Sequence, residues 1–121
     1  MGKGIALDAK MKIPGVDTVL GKLLAQHGNH VFEIGVYKEA RIFSFPTKHH
    51  WKDKSDVTLI EQSCKELLDM WLKQPSENKP YVILPKVGCT NGQLDYDKQA
   101  RPILWRYFGD ESRNRHFIIC C

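Results

Sequence analysis

Between Tyr81 and Tyr96 the chain reads Tyr-Val-Ile-Leu-Pro-Lys-Val-Gly-Cys-Thr-Asn-Gly-Gln-Leu-Asp-Tyr, an apolar run passing into a glycine-bearing loop that opens a helix. Such an order suits an anion. Gly88 and Gly92 let the backbone approach the charge closely, while the unpaired N–H groups and positive dipole end of the following helix face it. Cys89, Thr90, Asn91, Gln93 and Leu94 complete this loop. A second loop of the same kind, Met1-Gly2-Lys3-Gly4-Ile5-Ala6-Leu7, stands at the other end of the sequence. Two phosphate-cradling loops together predict a diphosphate ligand. Thr47-Lys48 and Gly88 to Gly92 both follow predicted strands, and open α/β sheets bind ligands beyond the carboxyl ends of their strands.

Other reactive residue types lead to weaker readings. His49-His50 invites a metal, but adjacent residues of an extended segment point oppositely and no third ligand stands at a familiar spacing, so neither metal nor cofactor is expected. Cys64, Cys89, Cys120 and Cys121 show no paired metal-ligand spacing and read as reduced thiols. Cys89 sits where a helix start would lower a thiol pKa, yet nothing in the sequence completes a nucleophilic system, and a small packing residue is the simpler role. Trp51 lies among His49, His50, Lys52 and Lys54, a grouping that could hold a nucleobase or a nucleic acid strand, or else form a hydrophobic lid. Trp71 and Trp105 keep helical apolar spacing and are predicted to be core. Asp95 enters a helix, where the dipole alone explains an acid. Arg113 and Arg115 form a basic cluster that is either solvated or a phosphate contact.

The elements that must carry these residues follow from periodicity. Residues 5–13 are helix-compatible, Pro14-Gly15 breaks them, and a second helix is predicted over 16–27 with Val16, Val19, Leu20, Leu23 and Leu24 as its stripe. Gly28-Asn29 closes it like a left-handed cap. Strands are predicted over 31–37 and 41–45, joined by a hairpin at Lys38-Glu39-Ala40 and stopped by Pro46. Ser55 or Asp56 can cap a long helix on which Val57, Ile60, Cys64, Leu67, Leu68 and Trp71 keep helical spacing. A buried strand over 81–84, a helix over 96–108 and a strand over 116–121 complete an α/β chain with a largely parallel core.

At 121 residues, 42% hydrophobic and 26% charged, the chain predicts one domain over 1–121, neither disordered nor embedded in a membrane. No apolar run approaches the roughly 20 residues of a spanning helix, and no signal-peptide pattern is present. A cytoplasmic location is expected. The net charge of +4 permits an anionic ligand or nucleic acid and does not choose between them.

Three of these segments together resemble the macrodomains, an α/β family that binds ADP-ribose. Met1 to Ala6 is similar to the family's helix-opening glycine loop, and Gly88 to Leu94 to its diphosphate-wrapping loop. Phe45-Pro46-Thr47-Lys48-His49-His50-Trp51 resembles a narrower branch, comprising terminal ADP-ribose protein glycohydrolases and antitoxins that remove ADP-ribose from DNA bases. The resemblance implies a three-layer α/β/α domain with a mixed, largely parallel central sheet. It also implies that Lys48 is catalytic, attacking the anomeric carbon of the distal ribose or stabilising charge as the glycosidic bond breaks. Thr47 would position the ribose, and Gly2, Gly4, Ile5 and Gly88 to Leu94 would hold the diphosphate.

Two departures refine this expectation. Gly92 stands where the protein glycohydrolases carry an acid, which favours the DNA-directed relatives. The family's strands before the first glycine loop have no counterpart here, so the domain is expected to be N-terminally truncated, through a start placed too late, through a natural truncation with a rearranged sheet, or with an open sheet edge that a partner chain, such as a second copy, would complete. The implied function is removal of a group from the distal ribose of ADP-ribose, by lysine-assisted de-ADP-ribosylation of DNA or protein. The alternatives are an ADP-ribose 1''-phosphate phosphatase and a non-catalytic module for ADP-ribose or a nucleotide signal.

Overall fold

A computed structural model describes residues 11–49, 53–88 and 93–120, which fall into two compact units divided between Phe45 and Pro46. The α/β class read from the sequence is what the molecule has. Gly2, Gly4, Ile5, His50, Trp51, Cys89, Thr90, Asn91 and Gly92 lie outside the described residues. Among those described, no helix is long and apolar enough to cross a membrane.

The first unit holds α1 (Val16–His27) and an antiparallel hairpin of β1 (Glu33–Tyr37) and β2 (Ala40–Phe43). Helix α1 has the predicted bounds, but its stripe is only partly covered: Val16 is buried, whereas Val19 and Leu24 are exposed. Gly28 ends it at φ 80°, ψ −162°, with its N–H donating to Leu24 O at 2.9 Å. The cap therefore uses the positive φ that glycine allows, without entering the left-handed helical well expected for it. Tyr37 pairs with Ala40, so the hairpin loop is Lys38-Glu39 alone, with both residues at positive φ (48° and 70°). This is the backbone that a two-residue loop needs to match strand twist. Ser44 then stitches the hairpin to the preceding segment: its hydroxyl accepts from Phe32 N–H at 2.9 Å and donates to His30 O at 3.1 Å.

The second unit is built on α2 (Val57–Leu72). Leu59, Ile60, Ser63, Cys64, Leu67 and Trp71 are buried, which confirms most of the predicted stripe, while Val57 turns outward. Asp56 caps its start by accepting from Thr58 N–H at 2.9 Å. At the other end Lys79 Nζ donates to the carbonyls of Trp71, Leu72 and Gln74 at 2.6–2.9 Å, filling the last-turn acceptors that a helix leaves open. Strand β3 (Val82–Pro85) pairs in parallel with β4 (Phe117–Cys120), so the predicted parallel crossover is present.

Between these strands lie a wide turn (Tyr96–Ala100) and α3 (Arg101–Phe108). Pro102 has no N–H to give to the preceding turn, and Arg101 N–H reaches back five residues to Tyr96 O. Leu104 and Phe108 face the core, where Phe108 stacks on Phe117 at 4.3 Å between ring centroids. Trp105 is 65% exposed and is not core. It lies one position from Leu104, about 100° around the helix axis, so the face carrying Leu104 and Phe108 excludes it. Trp71 is buried as expected, tilted against Phe117, with its indole N–H donating to Pro80 O at 2.9 Å.

Candidate functional site

Helix α2 fixes the site through the two residues before its first turn. Asp56 N–H donates to Thr47 O at 2.8 Å, and the buried hydroxyl of Ser63, about two turns further along the same face of α2, donates to Pro46 O at 2.7 Å. The strand-end segment carrying Thr47, Lys48 and His49 is thereby laid on the N-terminal half of the helix. Thr47 and Lys48 are half-buried, and His49 is exposed. His49 Nε2 lies 2.9 Å from Asp56 Oδ2. The His49 ring, followed by the Thr58 N–H, holds the Asp56 carboxyl below its usual range.

The glycine loop starts from the same place. Ser55 is buried and its Cβ lies 3.4 Å from where a Cβ on Gly88 would stand. Its hydroxyl has no hydrogen-bond partner among the described residues. Gly88 adopts φ 76°, and a side chain there would meet Leu94 Cδ1 at 2.8 Å and Ile60 Cδ1 at 2.9 Å. The loop's stem is closed by Leu94 N–H donating to Gly88 O at 2.9 Å, with Lys86 Nζ 5.2 Å from the centre of the Tyr96 ring on the next element. Leu94 is buried and exposed Gln93 takes φ 64°. Beyond the stem, Asp95 accepts from Lys98 N–H at 3.1 Å and donates its own N–H to Gln99 Oε1 at 3.0 Å. Asp95 therefore has the capping role that its position suggests.

Of the sequence-derived candidates, Thr47, Lys48, Gly88 and Leu94 are thus brought to one region, through Ser55, Asp56 and Ile60 at the start of α2. The His49 ring meets Asp56. Residues 2, 4 and 5, 50 and 51, and 89–92 fall outside the described residues, so their contributions are not placed. Sequence reasoning treated Ser55 and Asp56 only as alternative helix caps. The available signal was the cap itself, since a residue that starts a helix behind a strand-end loop must touch that loop.

No protein-family model matches the chain. It is 26% identical over 136 residues to the DNA ADP-ribosyl glycohydrolase of Thermus aquaticus, an alignment covering 98% of this chain and 37% of that protein. It is 30% identical over 103 residues to the DNA ADP-ribosyl glycohydrolase of Mycobacterium tuberculosis, covering 80% of this chain and 28% of that protein. In structure it matches the macrodomain of Mycobacterium tuberculosis DarG with a TM-score of 0.78 and 26% identity, over 98% of this chain and 79% of the other. The chain belongs to the macrodomain family. The branch suggested by Phe45 to Trp51 is the one these relatives represent. As a macrodomain it spans only 28–37% of the length of the curated relatives it matches. In this macrodomain the backbone beside Lys48 and the stem of the glycine loop share one support, the N-terminal end of α2 with the two residues before it.

Proposed function

We propose that this macrodomain binds ADP-ribose and removes it from modified DNA by hydrolysis at the distal ribose. The observation that carries the reading is the meeting of two motifs at Ser55-Asp56, where Asp56 holds Thr47 beside Lys48 and Ser55 packs on Gly88. The stem of a glycine loop and the backbone beside a lysine are thereby held by adjacent residues, which supports a diphosphate and a reacting amine at one place. The names of the relatives support DNA as the carrier of the ADP-ribose, and the family resemblance of Phe45 to Trp51 implies a base as the leaving group.

The bond that breaks joins the anomeric carbon of the distal ribose to the DNA base. Water supplies the oxygen that replaces the base at that carbon, and the base leaves with a proton. Lys48 assists either by attacking the anomeric carbon as a neutral amine or by stabilising charge as the bond breaks. Thr47 orients the ribose, and the backbone N–H groups of the glycine loops hold the diphosphate so that the anomeric carbon stays within reach.

Wild type and Lys48→Ala should be compared in two measurements. Calorimetric titration should give both proteins micromolar-range affinity for ADP-ribose, about 8 kcal/mol. Release of ADP-ribose from an ADP-ribosylated oligonucleotide should fall by roughly a hundredfold or more in Lys48→Ala, the mark of a group that acts in the transition state and not in ground-state binding. Binding without turnover in wild type would make this a binding module. No binding by folded protein would remove the reading altogether.

A further inference from the structure

We propose that His49 and Asp56 form a positioning pair that fixes the backbone on both sides of Lys48, and so sets where its amine stands. The proposal rests on the reading of Lys48 as the reacting residue. Its structural basis is separate. Asp56 is used in three directions at once: Oδ1 accepts from Thr58 N–H at 2.9 Å, the backbone N–H donates to Thr47 O at 2.8 Å, and Oδ2 meets His49 Nε2 at 2.9 Å. The residues before and after Lys48 are therefore tied to one residue, which is itself locked as the cap of a 16-residue helix. Ser63, fully buried on that helix, holds Pro46 O as well.

With Asp56 ionised, the His49 Nε2 must carry the hydrogen and donate it. The histidine is 61% exposed at its side chain, and an exposed pair adds little to folding stability. Its effect belongs to geometry. A lysine carries four flexible methylenes between backbone and amine, so any freedom at its Cα spreads the positions that the amine visits. Fixing the backbone on one side only would leave the segment free to rotate about that tie. The His49–Asp56 bond is the second tie.

The test uses His49→Ala, which removes the donor, and His49→Gln, whose amide nitrogen can stand near the position of Nε2. On an ADP-ribosylated oligonucleotide, His49→Ala is expected to lower kcat about tenfold with KM within about twofold, because misplacement costs the chemical step and not binding. His49→Gln should recover most of that loss. Exchange of the Asp56 amide hydrogen, measured without substrate, should be faster in His49→Ala, return towards wild type in His49→Gln, and leave α3 unaffected.

Unchanged kcat in His49→Ala, or a loss that His49→Gln does not relieve, would overturn the proposal. Should wild type show no turnover, the proposed function fails and the exchange measurement alone decides the pair. Faster exchange at Asp56 in His49→Ala then sustains it, and unchanged exchange overturns it.

Discussion

Gly88 is the residue at which the candidate site is least tolerant. A methyl group there would come within 2.9 Å of both Leu94 Cδ1 and Ile60 Cδ1, and φ 76° lies where an L side chain is strained. Ile60 is fully buried, so it cannot retreat without opening the core. Gly88→Ala is therefore expected to cost about 2 kcal/mol or more in urea unfolding, from backbone strain and overpacking together. Unchanged stability would mean that the loop stem is not held against α2 as described. The sequence revealed that a glycine was needed here through the loop pattern, but not the second reason, contact with Ile60 and Leu94. The Ile60 contact joins residues 28 positions apart, and local spacing carries no sign of it. The partner of His49 is only seven positions away, but the turn that brings Asp56 back to it has no periodic pattern to reveal it.

Helix α2 is the element that serves both stability and site. Its legible parts were those with local causes: the acid cap at Asp56 and the recurrence of Ile60, Cys64, Leu67 and Trp71 on one face. Ser63 was missed because a polar residue does not count in an apolar pattern, yet it is buried where its hydroxyl can reach Pro46 O. Trp105 of α3 departs in the opposite sense: its helical apolar spacing predicts core, yet the face that Leu104 and Phe108 bury leaves it exposed.

Burial on the inner face of α2, and secondarily the charge of Glu61, pushes the Cys64 thiol up to about 12 from an ordinary 9.0. A raised folded-state pKa stabilises fully below the unfolded value and is lost as pH climbs through the folded one. Alkaline weakening from this group is thus expected to begin above pH 9.0 and to continue towards about 12. Cys64→Ala should flatten that dependence in unfolding midpoints while lowering stability at neutral pH through the lost packing. An identical alkaline slope in the two proteins would show that another group is responsible. At neutral pH a thiol reagent should modify exposed Cys120 and spare Cys64.

At the scale of the whole molecule, the sequence carried the α/β class and the family through three short segments, while composition carried almost nothing of function. A charge of +4 fits a diphosphate ligand and a nucleic acid equally. The informative feature is an arrangement: Thr47, next to Lys48, and Gly88, at the glycine-loop stem, are held by consecutive residues, Asp56 and Ser55. That arrangement is what supports the proposal of hydrolysis at the distal ribose over binding alone. The most direct measurement is the mass of an oligonucleotide bearing ADP-ribose on one base, followed in time with the purified chain. The expected result is loss of the ADP-ribosyl mass, with free ADP-ribose released in equal amount and the base restored. An oligonucleotide of unchanged mass, incubated with protein shown to bind ADP-ribose, would contradict the account.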